Sequence, residues 1–144
     1  MKNLEEWMKA YGISHQNKKN VIIHKVCVPL IMLSVLGLLW CAKLEDIKLL
    51  NLAVLLYSCS LIFYLKLGFK VFLLMLIQGG LGLVGVYFLE KTGYLLSISI
   101  GTFVLAWIGQ FIGHRIEGQK PSFFEDLQFL LIGPIWIFPF FKAR

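Results

Sequence analysis

The chain has 144 residues, 58% of them hydrophobic and 15% charged, with a mean hydropathy of +0.78 and a formal net charge of +6. That balance excludes an ordinary soluble domain and leaves no room for a separate one beside the apolar bulk. The lysines stand at the ends of apolar runs and form no basic stripe interleaved with aromatics, so anionic lipid headgroups are expected as partners and nucleic acid is not.

In chain order, Leu4, Trp7, Met8 and Tyr11 recur at helical spacing. They predict a short amphipathic helix over 3–12 at the membrane interface, ended by Gly12. The first 25 residues carry Lys2, Lys9, Lys18, Lys19 and Lys25 with Glu5 and Glu6, and no apolar core precedes a cleavage site, so they do not read as a signal peptide. The polar stretch Ser14–Asn20 leads into a first span from about Val21 to Ala42, where Pro29 is expected to kink the helix unless it starts late. Val26–Ala42 is free of charge, as are Leu49–Leu65, Val71–Leu89 and Thr92–Gly113, separated by Lys43–Lys48, Lys66–Lys70 and Glu90–Gly93. Each run is about 17–22 residues, near the roughly 20 that carry a helix across a bilayer core. Runs this long in lipid must be helical, because only helices satisfy their own backbone. The last segment, Leu127–Phe141, is short for a span and holds Gly133, Pro134 and Pro139, so a re-entrant element and a fifth crossing are both open.

The expected fold class is therefore an all-α integral membrane protein forming a single domain. Residues 1–25 make an interfacial segment, 26–113 four transmembrane helices, and 114–144 a loop followed by the re-entrant or fifth segment. Glycines at 79, 80, 82, 85, 101, 109 and 113 suit close helix packing. Cys27, Cys41 and Cys59 lie inside apolar segments without paired spacing and read as small packing residues, not a disulfide or zinc framework. The side holding the N-terminus, Lys66–Lys70 and Arg115–Lys120 collects nine lysines and arginines against three on the opposite turns, which puts the N-terminus in the cytoplasm.

Four crossings return the chain to its starting face. His15, His24 and His114, the three histidines, then share one membrane surface by parity. Around the fourth exit Gln110, His114 and Glu117 fall on one helical face, as Asn20 and His24 do near the first entry. Two imidazoles with a carboxylate, or three imidazoles, leave open positions on a divalent metal, as in non-haem Fe(II) oxygenases, or as zinc with an activated water. In one unbroken helix His15 would point away from His24; it converges only if the helix starts later, with Asn17 or Asn20 as its N-cap. The competing reading is three interfacial histidines hydrogen-bonded to headgroups or backbone. Glu125 suits a helix N-terminus, and Asp126 either shares that role or accepts an imidazole N–H. Arg115 and Lys120 stand where an acyl carboxylate would lie, or are solvated loop charges. Trp107, Phe111, Phe123, Phe124, Trp136 and Phe138 could wall an acyl pocket or form an interfacial belt.

Tyr11-Gly-Ile-Ser-His15, Asn20-Val-Ile-Ile-His24 with Val28-Pro29, Gln110-Phe-Ile-Gly-His114-Arg-Ile-Glu117-Gly-Gln-Lys-Pro121 and Asp126-Leu-Gln-Phe-Leu-Leu-Ile-Gly133-Pro134 together resemble the small membrane proteins related to the fungal endoplasmic-reticulum 2-hydroxy fatty acid dioxygenase. The compact form resembles a bacterial-type member, in a bacterial inner membrane, or in the endoplasmic reticulum if eukaryotic. The resemblance implies Fe(II)-dependent α-oxidation, in which a 2-hydroxy fatty acid reacts with O₂ and is shortened by one carbon. It assigns catalytic and metal-binding roles to His15, His24 and His114 and matches Glu117 to an acidic position, a possible fourth ligand. On the same reading the substrate carboxylate and 2-hydroxyl chelate the open positions and the acyl tail runs between the spans. A zinc-dependent lipid hydrolase would use the same ligands. A transporter or scaffold is the non-enzymatic alternative, although the four apolar runs hold no ionisable acid or base of the kind transporters place at mid-membrane.

Overall fold

The computed structural model describes residues 2–42, 51–118 and 129–138. Among them every regular element is helical: α1 (Leu4–Ile13), α2 (Lys18–Cys41), α3 (Leu52–Leu67), α4 (Phe69–Glu90), α5 (Leu95–Glu117) and α6 (Gly133–Trp136).

Helix α1 begins with a capping box. The Asn3 side chain accepts from the Glu6 N–H and the Glu6 carboxylate accepts from the Asn3 N–H, each at 2.9 Å. It ends one residue later than Gly12, with Ser14 as C-cap. Glycine stops a helix by taking a positive φ, and only Gly68, Gly93 and Gly118 do so among the described residues.

Asn17 starts α2. Its side-chain oxygen accepts from the Lys19 N–H at 2.9 Å, and its carbonyl accepts from the Val21 N–H at 3.0 Å. The helix thus begins three residues before the expected span and continues through Pro29 to Cys41.

Helices α2, α4 and α5, of 24, 22 and 23 residues, are long and apolar enough to cross a membrane. Helix α3 is apolar but has 16 residues, about 24 Å of rise against a hydrocarbon core of about 30 Å. The expected count of four crossings therefore resolves into three long helices and one shorter apolar helix. Large side chains such as Leu81, Leu105 and Phe69 stand exposed along these helices, as lipid-facing positions require.

The chain divides into two compact units, Met1–Leu30 with Leu105–Arg144, and Ile31–Val104. The second unit packs Leu36, Trp40, Ala53, Val86 and Leu95 into a core. Within it α3 and α4 form an antiparallel pair hinged on Gly68, whose φ of 136° and ψ of 150° are accessible essentially to glycine alone. The Tyr57 ring lies where a side chain at Gly79 would be, and its hydroxyl is shared between the carbonyls of Met75 (2.8 Å) and Leu76 (3.0 Å). The Trp40 indole N–H donates to Glu90 at 3.0 Å. The turn after α4 uses Gly93 at φ 77°, as its expected position indicated.

In the first unit, residues 129–138 form turns around the single helical turn α6, with Pro134 in its first turn. Ile132 and Gly133–Trp136 are buried, Gly133 lying against Val28 and Tyr11. These residues make no crossing helix; they fold onto the N-terminal helices, as a re-entrant or interfacial element would. The turn at 43–48, Pro139 and the ends of the expected last segment lie outside the described residues. The cysteines are free thiols, Cys27 buried and Cys41 and Cys59 exposed.

Candidate metal centre

The break between α1 and α2 makes the site. Leaving helical geometry at Ser14–Asn17 frees His15 from the face opposite His24, and the Asn17 cap sets the point at which α2 resumes. His114 comes from the last turn of α5. All three imidazoles are buried, and their ligand atoms lie within 4.8 Å of one another. Ring centroids are 4.2 Å apart for His15–His24, 5.0 Å for His24–His114 and 5.8 Å for His15–His114.

Protonation is set by the backbone. His15 Nδ1 meets the Tyr11 carbonyl at 2.6 Å, and His24 Nδ1 meets the Asn20 carbonyl at 3.1 Å. A carbonyl only accepts, so each Nδ1 carries the proton and each lone pair resides on Nε2. Imidazoles held through one nitrogen by an acceptor, with the other presented to a shared centre, are how proteins orient metal-ligating histidines. The donor set fits a divalent transition metal bound by nitrogen at about 2.0–2.1 Å.

Aromatic rings back the cluster. Tyr11 stacks on His15 at 4.1 Å with 9° between planes, and Trp136 lies 5.0 Å from the same ring. Phe129 meets Tyr11 edge-on at 5.1 Å.

Glu117 falls outside the histidine group. Its carboxylate instead accepts from the backbone N–H groups of Gln16 (2.7 Å) and Asn17 (2.9 Å) and from the Asn20 side-chain amide (2.9 Å). It therefore ties the end of α5 to the segment carrying His15 and to the first turn of α2, where backbone N–H groups attract an anion.

Asn20 is fully buried, donates to Glu117 and to the Ser14 carbonyl (3.1 Å), and orients His24 through its own carbonyl. Gly113 leaves room for this arrangement. A Cβ there would overlap Asn20 Oδ1 and come within 3.2 Å of the His24 ring.

Gln110, one turn before His114, is buried as well, at 6% exposure. Arg115 is exposed. Among the aromatics considered for an acyl wall, Trp136 joins the histidines; Trp107 is buried 5.6 Å from Phe111, and Phe138 is half-buried. Lys120, Glu125, Asp126, Phe123 and Phe124 lie outside the described residues.

Sequence reasoning missed Tyr11 as a partner of His15, and Gln16 and Asn17 as partners of Glu117. The first had a signal: Tyr11–His15 and Asn20–His24 share the four-residue spacing that brings a carbonyl to an imidazole. The second had none, because the partners lie 101 and 100 positions from Glu117.

The family described as 2-hydroxy-palmitic acid dioxygenase Mpo1-like matches residues 1–144. The 2-hydroxy-palmitic acid dioxygenase MPO1 of Saccharomyces cerevisiae is 30% identical over 141 residues, covering 94% of this chain and 77% of that protein. No solved structure matches the chain.

Proposed function

This chain belongs to the Mpo1-like family, and from that premise we propose that it is a membrane Fe(II) dioxygenase that shortens 2-hydroxy fatty acids by one carbon. The observation that carries the reading is the convergence of three buried histidines within 4.8 Å, two of them fixed by carbonyls as Nδ1–H tautomers.

His15, His24 and His114 hold the metal, and Glu117 acts as a strap that keeps the lead-in and α2 against α5 instead of serving as a fourth ligand. Bound iron supplies activation of O₂ beside the C1–C2 bond of the substrate. Tyr11, Phe129 and Trp136 shut water out behind His15. Arg115, and Lys120 five positions further along the chain, supply positive charge for the substrate carboxylate, and the acyl tail lies along the apolar helices.

The overall reaction balances without an external reductant. A 2-hydroxy acid, R–CH(OH)–COOH, plus O₂ gives R–COOH, CO₂ and H₂O, with the C1–C2 bond broken and all four electrons for O₂ drawn from C1 and C2. The nine-to-three excess of lysine and arginine supports a cytoplasmic N-terminus and site.

The test is anaerobic purification with elemental analysis, followed by 2-hydroxypalmitate and O₂. Iron in the protein and pentadecanoic acid formed one-to-one with O₂ consumed are expected, and replacing His114 with Ala should abolish both metal retention and product. Bound zinc with no O₂ uptake would overturn the reading in favour of a lipid hydrolase.

A further inference from the structure

Gln110 presents a buried amide oxygen, Oε1, that has no hydrogen-bond partner among the described residues. An amide carbonyl sealed from water without a donor is a standing cost in a folded protein, and such groups in native structures call for a bound partner. The residue stands four positions before His114 on α5, on the same helical face and one turn toward the apolar run. Its neighbours on α5 face the histidine helix: Gly109 lies against Cys27, and Gly113 against Asn20 and His24. Along α5 the orphaned acceptor is therefore carried one turn from His114, on the side of the apolar run, where the head of a bound acid would give way to its tail.

We infer that Gln110 is the specificity residue for the 2-hydroxyl group, its Oε1 accepting the hydrogen bond from the hydroxyl on C2 of the bound acid. The missing partner must be a donor, and a fatty acid head bound as a carboxylate has none. A 2-hydroxy acid has one donor, one carbon from the carboxylate, at the junction between head and tail. A site that bonds a substrate hydroxyl discriminates against the analogue lacking it far more sharply than apolar fit alone allows. The inference rests on the proposed use of 2-hydroxy acids and adds to it the residue that recognises them.

The test is binding of 2-hydroxypalmitate and of palmitate to the iron-loaded protein in detergent under anaerobic conditions, so that no turnover intervenes. Wild type is expected to prefer the hydroxy acid. Gln110→Met, close in volume, and Gln110→Asn, which keeps an amide but withdraws it by one methylene, should each lower that preference about tenfold, or about 1.4 kcal/mol. The loss should fall on the hydroxy acid, with palmitate affinity and iron content unchanged; the retained iron shows that the variants fold. If wild type discriminates and either iron-retaining variant keeps the wild-type ratio, the role of Gln110 is overturned and the proposed function stands. If wild type itself does not discriminate, both fall together.

Discussion

Glu117 decides how the site is held at the scale of single residues. Both of its oxygens are engaged by donors from the start of α2 and its lead-in. Glu117→Gln keeps the shape but turns an amide NH₂ toward groups that can only donate. The metal-free protein should lose about 1–2 kcal/mol of stability, or a few degrees in Tm, while the iron-to-protein ratio stays at the wild-type value. Elemental analysis paired with thermal unfolding in detergent separates this from a ligand role, which predicts lost iron and an unchanged metal-free Tm. His15, His24 and His114 were legible as a set because parity of the apolar runs put them on one face, and Asn17 was legible, beside Asn20, as one of two caps that would let His15 converge; the structure uses Asn17. The bonding of Glu117 was not legible: from α5 alone, a carboxylate three residues after a histidine reads equally well as a ligand, and the donors that engage it here lie far away in sequence.

Helices were legible as uncharged runs, and their ends less so. Charge marks where a span leaves the apolar core, but a helix continues while its backbone is satisfied, so α2 starts at Lys18 and α5 runs to Glu117, past the last uncharged residue. The shortness of α3 follows from backbone chemistry at Asn51, whose side chain caps the Val54 N–H at 3.0 Å, and at Gly68, where the chain reverses. Gly68→Ala should cost about 1–3 kcal/mol, with nothing within 4 Å of the added methyl to share the blame. Gly80→Ala, helical and equally open, should be neutral or slightly stabilising. Thermal unfolding of the two variants checks the contrast, and iron content should follow neither change, because Gly68 and Gly80 both lie in the unit that holds no histidine. Equal melting of both variants would remove the backbone argument for this hinge.

The whole molecule is judged by the sidedness of its chain. If the shorter α3 crosses together with the three long helices, the passage from Lys2 to Arg115 is even-numbered and reaches Lys91 on the opposite face, and cysteine labelling reads this directly. In a background lacking Cys27, Cys41 and Cys59, Lys2→Cys and Arg115→Cys should react with a membrane-impermeant thiol reagent only from the cytoplasmic side, and Lys91→Cys only from the other. Labelling of positions 2 and 115 from opposite sides would contradict the charge asymmetry and the shared face together. The carboxylate at 117 reaches back 101 positions to Gln16, and the third imidazole follows the first two by 99 and 90 positions. During synthesis, then, the early imidazoles emerge long before their partner exists, and a half-made chain offers a metal ion only two imidazoles. On the proposed reading, loading would wait for the last long helix to arrive, so a captured ion would certify that α5 has joined α2.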